Sequence, residues 1–599
     1  IRDSIKSRQD ISYEDYLEFV SVMKEYYPKT IGETRRPINE ISLYDYAHTI
    51  ASLMKSNLAK IIIDGWYEPR SKSKWRILKV NINVIGLMSK GLKIGDILGY
   101  KSEIEKMYDD IKKIIEFDYP LGNEIYRDST GIYFSCPNVN DVSKLKSEII
   151  DKLKGLNKLD FSLQIEISDK SRSMVILASE REESSKGISY PHIDDTENLE
   201  KEFEESRNAD GEDICPVCRI RLKPEKKDRC TKCGNRYQER SKIWIKNPQE
   251  TIWLDEVADK NDRVALIVGQ FDLRKWLFGE FIDTFVSQTF DEWKNICIDK
   301  NCNEKVSDIC KRLNINNILD LERGFEKLFN NPQSLNDDWE KICGSFIGIR
   351  PKNFINNFWA PIAGRDATGK VLTLTDNSEK AKYLIKLLFR KHPSLARIYR
   401  IWNTTQEFIN ETIFEKILKE YNWNSEPRRQ RIQFKIEPNP DILEGSTCDI
   451  DVDGLRFSPV CINRENGIFV STINLEILKK FGESANEISE NLNGRRIKVK
   501  TDKDRTWKDG KVLEAKPADE KFQSYSPYVK IYDFPDQFMV LVPAYEALDI
   551  AERILDEYEI QFSKVRDRLS FHLGIIAFHR KTPLYVVVDA GKRLLEAFK

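Results

Sequence analysis

Cys215-Pro-Val-Cys218 is followed eleven residues later by Cys230-Thr-Lys-Cys233. Two CxxC turns at this spacing can aim four thiolates at one tetrahedral zinc, a closed structural site with no coordination position left for water. Gly234, directly after the second pair, would ease the tight backbone there. A second set of residues that could do chemistry is acidic. Asp533 and Asp536 lie in Lys530-Ile-Tyr-Asp-Phe-Pro-Asp-Gln537, where apolar runs on either side read as two strands of a hairpin. Asp272 follows another buried apolar run, after Gln270 and Phe271. Carboxylates at a hairpin tip and at the end of a neighbouring strand can hold divalent ions that bridge a triphosphate and activate an attacking hydroxyl. Here amides stand among them, Gln270 and Gln537, and an amide does not supply the charge that a carboxylate gives magnesium. Asp128, in Asp128-Ser-Thr-Gly131, occupies a similar turn earlier in the chain; it and Asp536 read equally as ordinary turn residues.

His48 stands near Asp45 on a helical stretch. A nuclease built on adjacent His and Asp needs several more histidines, and the chain has five in all, so His48 reads as structural. Three basic clusters remain: Arg428, Arg429 and Arg431; Arg495, Arg496, Lys498 and Lys500; and the run from Arg221 to Arg229 inside the cysteine module. Arg496, Lys498 and Lys500 alternate, so on a strand they would share one face and touch phosphates without reading sequence.

The elements that must position these groups follow from periodicity. With 599 residues the chain exceeds one core and divides into several domains. Lys and Arg total 96 against 97 Asp and Glu, so no global field draws it to nucleic acid or membrane. No run approaches the roughly 18 apolar residues of a membrane span, and the N-terminus has no signal core or initiator Met. The chain is expected to be cytoplasmic and cut from a longer one. Eleven cysteines, seven of them scattered in surroundings such as Ile296-Cys297-Ile298, suit a reducing compartment better than a disulfide framework.

Residues 1–70 are expected to be helical. Residues 71–185 follow a β-α-β-β-α-β order, with 76–88 as a strand, 123–137 as a hairpin and 172–180 as the last strand. Residues 186–255 hold a linker, read as exposed over 181–212, and the cysteine module. The same order restarts at 256–290, is interrupted by a helical insertion at 291–390, a long helix at 391–430 and a β-rich insertion at 431–528, and finishes at 529–599. The expected class is α+β and multidomain, with two ferredoxin-like or palm (GGDEF-like) units flanking a zinc module.

Two palms around a four-cysteine module resemble the large subunit of type III CRISPR effector complexes, which carries a cyclic-oligoadenylate synthetase palm. The stretch from Arg35 to Ala59 is similar to the end of that family's HD region. Asn123 to Pro137 resembles its first palm hairpin, Arg263 to Leu277 the opening strand of its second palm, and His572 to Lys599 its closing strand and helix. Tyr532 to Ile554 resembles the hairpin that normally reads Tyr-Ala-Gly-Gly-Asp-Asp. The resemblance implies a subunit for antiviral defence that binds guide RNA, target RNA and RAMP-type and small subunits. It also marks departures. Phe534-Pro535-Asp536-Gln537 stands at Gly-Gly-Asp-Asp, Gln270 at the first-strand acid, and Tyr46 at the histidine after Asp45. The palm is therefore expected to be a degenerate scaffold, with Gln270, Asp272 and Phe534 to Gln537 as a nucleotide-site remnant. The competing reading is an active synthetase that uses ATP and magnesium on Asp272, Asp536 and Asp533.

Overall fold

The structure, a computed structural model, describes residues 11–27, 41–66, 73–161, 163–171, 176–185, 196–207, 213–225, 227–278, 289–299, 301–347, 350–363, 374–389, 395–423, 429–501, 506–563 and 569–598. Its first sheet contains β1 (Trp75–Asn81), β2 (Glu124–Asp128), β3 (Gly131–Pro137) and β4 (Gln164–Ile167) in the order β2-β3-β1-β4. Every pairing is antiparallel; β1 meets β3 with Leu78 opposite Phe134, and β4 with Val80 opposite Ile165. The second sheet opens with β5 (Arg263–Phe271).

Two insertions with cores of their own follow. Helices between Phe290 and Phe389 enclose Trp293, Phe325, Leu328, Phe354 and Phe358. The next insertion contains β6 (Ile432–Glu437), β7 (Asp449–Val452), β8 (Leu455–Phe457), β9 (Val460–Asn463), β10 (Ile468–Val470), β11 (Arg496–Lys500) and β12 (Lys508–Pro517). They form one sheet in the order β8-β7-β11-β12-β6-β10-β9. The chain then returns to the second sheet with β13 (Val529–Phe534), β14 (Gln537–Pro543) and β15 (Phe571–His579), giving the order β13-β14-β5-β15. In each of the two four-stranded sheets the spatial order is second, third, first, fourth, the order of a split β-α-β unit. Ile77 and Tyr133 of the first sheet belong to the same buried cluster as Ile267, Phe271 and Phe538 of the second, so the sheets share a core.

Local chemistry explains where the sequence expectation fails. β1 ends at Asn81 because the Asn83 side chain accepts from the Gly86 amide at 2.9 Å and starts a short helix, Val84–Met88. Residues 176–185, expected to be the end of a strand and the start of a linker, form a helix. Its polar side chains bind inward: Glu180 to Lys79 at 2.9 Å and Ser184 to Asn81 at 2.9 Å. The 181–212 stretch is thus not a free linker over its described part. The helix Thr196–Arg207 docks through Glu202, which pairs with Arg221 and accepts from the Leu159 amide at 3.1 Å. Of the seven scattered cysteines, Cys136, Cys310, Cys343, Cys448 and Cys461 are free and buried, while the exposed Cys297 and Cys302 are joined as a disulfide. Among the described residues no helix is long and apolar enough to cross a membrane.

The cysteine module leans on the first sheet through two helices, Ile94–Lys113 and Thr231–Lys246. A Cβ on Gly95 would lie 2.5 Å from the Tyr237 ring, and one on Gly99 2.6 Å from Arg236 Cγ. The glycines, one turn apart, set how close the helices come. Gly95→Val should therefore lower the unfolding free energy by about 1–3 kcal/mol in chemical denaturation, through overpacking rather than lost propensity.

Candidate functional site

Asp536 is in the two-residue loop between β13 and β14 and is 1% exposed. Its Oδ2 accepts from Arg181 Nη2 at 3.2 Å, and its backbone carbonyl accepts from the Phe271 amide at 2.8 Å, tying the turn to the end of β5. Arg181 Nε donates at the same time to Asp128 in the β2–β3 turn. Asp128 is fully buried and also accepts from the Thr130 amide at 2.8 Å, the Asx-turn expected of a turn residue, and from the Tyr126 hydroxyl at 3.1 Å. Burial works against the Arg181 charge, but Asp128, Tyr126 and Asp536 outweigh it and raise its pKa well above the ordinary value.

The other acids are likewise paired. Asp533 takes Lys101 at 2.8 Å and Lys530 at 3.0 Å; burial pushes its pKa up, and the two ammonium groups overcome that and hold it below the usual carboxylate value. Asp272, one residue past β5, accepts from the Arg274 amide at 3.1 Å and from its guanidinium at 2.9 Å, capping the helix Arg274–Phe278. Gln270 and Gln537 lie directly opposite each other on β5 and β14, 6% and 2% exposed. Pro535 is buried and Phe534 packs its ring 5.2 Å from Tyr532. This donor set does not fit a pair of magnesium ions: two positions are amides, and the carboxylates already face cations of the chain. Among the described residues, the only group of three or more Cys, His, Asp or Glu whose ligand atoms lie within 4.8 Å of one another is elsewhere.

That group is Cys215, Cys218, Cys230 and Cys233, all buried. Cys218 and Cys230 sulfurs are 3.9 Å apart, close to the roughly 3.8 Å edge of a tetrahedron with zinc–sulfur bonds of about 2.3 Å. The Cys230 amide donates to Cys215 Sγ at 3.2 Å and the Cys233 amide to Cys230 Sγ at 3.5 Å, contacts that favour thiolate. The four sulfurs could hold a metal such as zinc. Gly234 does not play the expected part: it is inside the helix that Cys230 caps, and the left-handed residue of the module is Arg219, at φ 60°.

The basic candidates divide sharply. Arg431 is fully buried, bidentate to Glu256 at 2.5 and 2.8 Å, donating to the Pro248 carbonyl at 2.7 Å, with the Tyr525 ring 4.5 Å away. Arg429, 3% exposed, pairs with Glu546 at 2.7 Å. Arg221 pairs with Asp160 at 2.8 Å and Arg229 with Asp96 at 2.5 Å, both buried. These arginines hold the chain together and do not reach a phosphate; Arg428 lies outside the described residues. Arg495 donates to the Asn491 carbonyl at 2.6 Å and pairs with Asp453. Arg496 and Lys498 are exposed and Lys500 half-buried on one face of β11, as alternation implies. That face is not purely basic. Lys498 has Asp509 and Asp451 as its neighbours across the sheet and Lys500 has Asp449, while Arg496 faces Lys511.

His48 is structural: Nε2 lies 2.8 Å from the Glu124 carbonyl, the ring stacks 4.3 Å from Tyr399, and burial lowers its pKa to about 4. Asp45 caps its helix through Ser42, and Tyr46 faces solvent. Arg181 escaped the sequence reading because it sits in an acidic, serine-rich run. The usable signal was Lys79, an isolated charge inside an apolar strand, which requires a buried acid such as Glu180 and so a helix over the sheet.

The chain is similar in structure to solved complexes of two kinds. Against the Csm1-Csm4 cassette in complex with cA4 the identity is 11% and the TM-score 0.41, over 96% of this chain and 60% of that one. Against the cassette with AMPPNP the values are 10% and 0.43, over 96% and 60%. Against the type III-B Cmr-beta complex in its apo state they are 11% and 0.40, over 98% and 73%. The chain thus spans about three fifths of the length of the Csm1-Csm4 chains it matches. No protein-family model and no curated protein matches it.

Two measurements separate the roles assigned above. Cys218→Ser should release close to one metal equivalent per chain by elemental analysis, because three sulfurs do not close the site. Arg431→Ala should cost about 3–5 kcal/mol by leaving Glu256 buried without its guanidinium, while Lys498→Ala should stay within about 0.5 kcal/mol in the same denaturation assay.

Proposed function

We propose that this chain is the large subunit of a type III CRISPR RNA-guided effector complex, working in the cytoplasm, and that its second palm is framework and not catalyst. What supports the reading is the order of parts: two four-stranded sheets of one strand order, a four-cysteine module between them in sequence, and hairpin segments that resemble that family's. The observation that carries the non-catalytic half is the pairing of every remnant acid with a cation of the chain: Asp272 with Arg274, Asp533 with Lys101 and Lys530, and Asp536 with Arg181.

In this reading guide and target RNA supply sequence specificity by pairing with each other, and the protein contributes shape and backbone contacts. Among the described residues, the phosphate-facing set is Arg496, Lys498 and Lys500 on β11. Zinc in the cysteine module is structural. RAMP-type and small subunits complete the particle.

The competing reading, an ATP-using synthetase, needs Asp272, Asp533 and Asp536 to release their partners and converge. Purification from the host with bound RNA is expected to yield a uniform set of short guides with a common repeat-derived tag, together with other subunits. Incubation of that particle with ATP, magnesium and target RNA is expected to form no oligoadenylate. RNA-free monomer would overturn the assignment, and target-dependent product lost in Asp536→Asn would overturn the framework role.

A further inference from the structure

Asp128 and Asp536 occupy equivalent turns, each between the second and third strands of its sheet, and both are buried. Two carboxylates brought together away from water require a proton or a cation. The cation here belongs to the chain. Arg181 presents Nε to Asp128 and Nη2 to Asp536, so one planar guanidinium serves both sheets through two of its nitrogens. It is delivered by a helix, Ile176–Ser185, that is fastened to β1 on either side of it, by Glu180 to Lys79 and by Ser184 to Asn81. The other remnant acids differ: Asp272 takes the local Arg274, and Asp533 takes two separate ammonium groups, the local Lys530 and the remote Lys101, whereas the single Arg181 guanidinium joins two acids 53 and 355 positions away.

We propose that Arg181 is a built-in counter-ion, a guanidinium seated in the carboxylate site that the two hairpin turns form between the sheets, so that a divalent cation, and any polyphosphate it would carry, is kept out of the junction. The inference rests on the framework reading of the second hairpin and goes beyond it by naming what occupies the site. A lysine would neutralise the charge from a single nitrogen, whereas the guanidinium meets each carboxylate with a different one. The arrangement also makes the lock depend on the helix Ile176–Ser185 staying on β1.

The test is a manganese titration of the purified, metal-loaded cysteine-module protein, read by electron paramagnetic resonance. Wild type and Asp536→Asn are expected to give the same isotherm. Arg181→Ala is expected to gain one manganese site per chain, and Arg181→Ala/Asp536→Asn to lose it again. An Asp536-dependent site in the wild type, or a folded Arg181→Ala with no gained site, overturns the proposal. Should Arg181→Ala fold only with manganese, the proposal is supported. Should manganese fail to restore it while the charge-free Asp128→Asn/Arg181→Met/Asp536→Asn also fails to fold, packing and not charge is the cause and the proposal falls. A charge-free variant that folds where Arg181→Ala does not supports it. Guide RNA retained by the same samples is scored separately: its absence with the manganese result intact counts against the functional reading alone.

Discussion

A buried guanidinium between carboxylates is the contact on which this architecture turns. Removing an ion from water costs several kcal/mol, and only close geometry with further hydrogen bonds recovers it. Arginine meets that demand better than lysine because its fork can address two acceptors in one plane. The chain uses it at each seam: Arg181 between the two hairpins, Arg221 and Arg236 on Asp160 where the cysteine module meets the first sheet, Arg229 on Asp96, and Arg431 on Glu256 where the β-rich insertion meets the segment leading into β5. Each partner is far off in sequence, so these pairs specify which module sits where. Apolar contact alone would be less selective, since both sheets share a core with many interchangeable aliphatic side chains.

This placement changes what the net charge means. A chain with almost equal acids and bases has no long-range field, and here much of the strongest local basicity is spent internally. Of the alternating basic positions, the stripe on β11 lies near solvent but is interleaved with aspartates of β7 and β12. Contacts with a polyanion would then depend on shape and on a few positions, and they would weaken with salt according to those few charges and not to total composition.

The sequence displayed whatever depended on local spacing. Four cysteines in two knuckles, the apolar runs of β13 and β14, and the turn residues around Asp128 each announce their element within a few positions. What it did not display depended on partners remote in the chain. The arginines at 429 and 431 look like a phosphate-binding run until Glu546 and Glu256 are placed beside them. Residues 176–185 have an apolar start and a polar tail, which fits a strand ending in a linker as well as a helix. The choice is made by Lys79 and Asp128 on the sheet below. Gly234 shows the reverse error, a glycine assigned a conformational task when it sits in an ordinary helical turn.

The amides at 270 and 537 fit the same logic. Facing each other across β5 and β14, they occupy buried positions where two carboxylates would repel unless a cation lay between them. Neutral side chains remove that requirement, and the hairpin can then be held by Met539, Leu541 and Ile531 packing into the core, with no ion needed for its stability. Asp536 is a buried carboxylate that calls for an opposite charge, which Arg181 provides from outside the second sheet. Neutral amides and an internal salt bridge answer the same electrostatic demand: where the buried positions are neutral the fold needs no cation, and where a carboxylate is buried the chain supplies the cation itself.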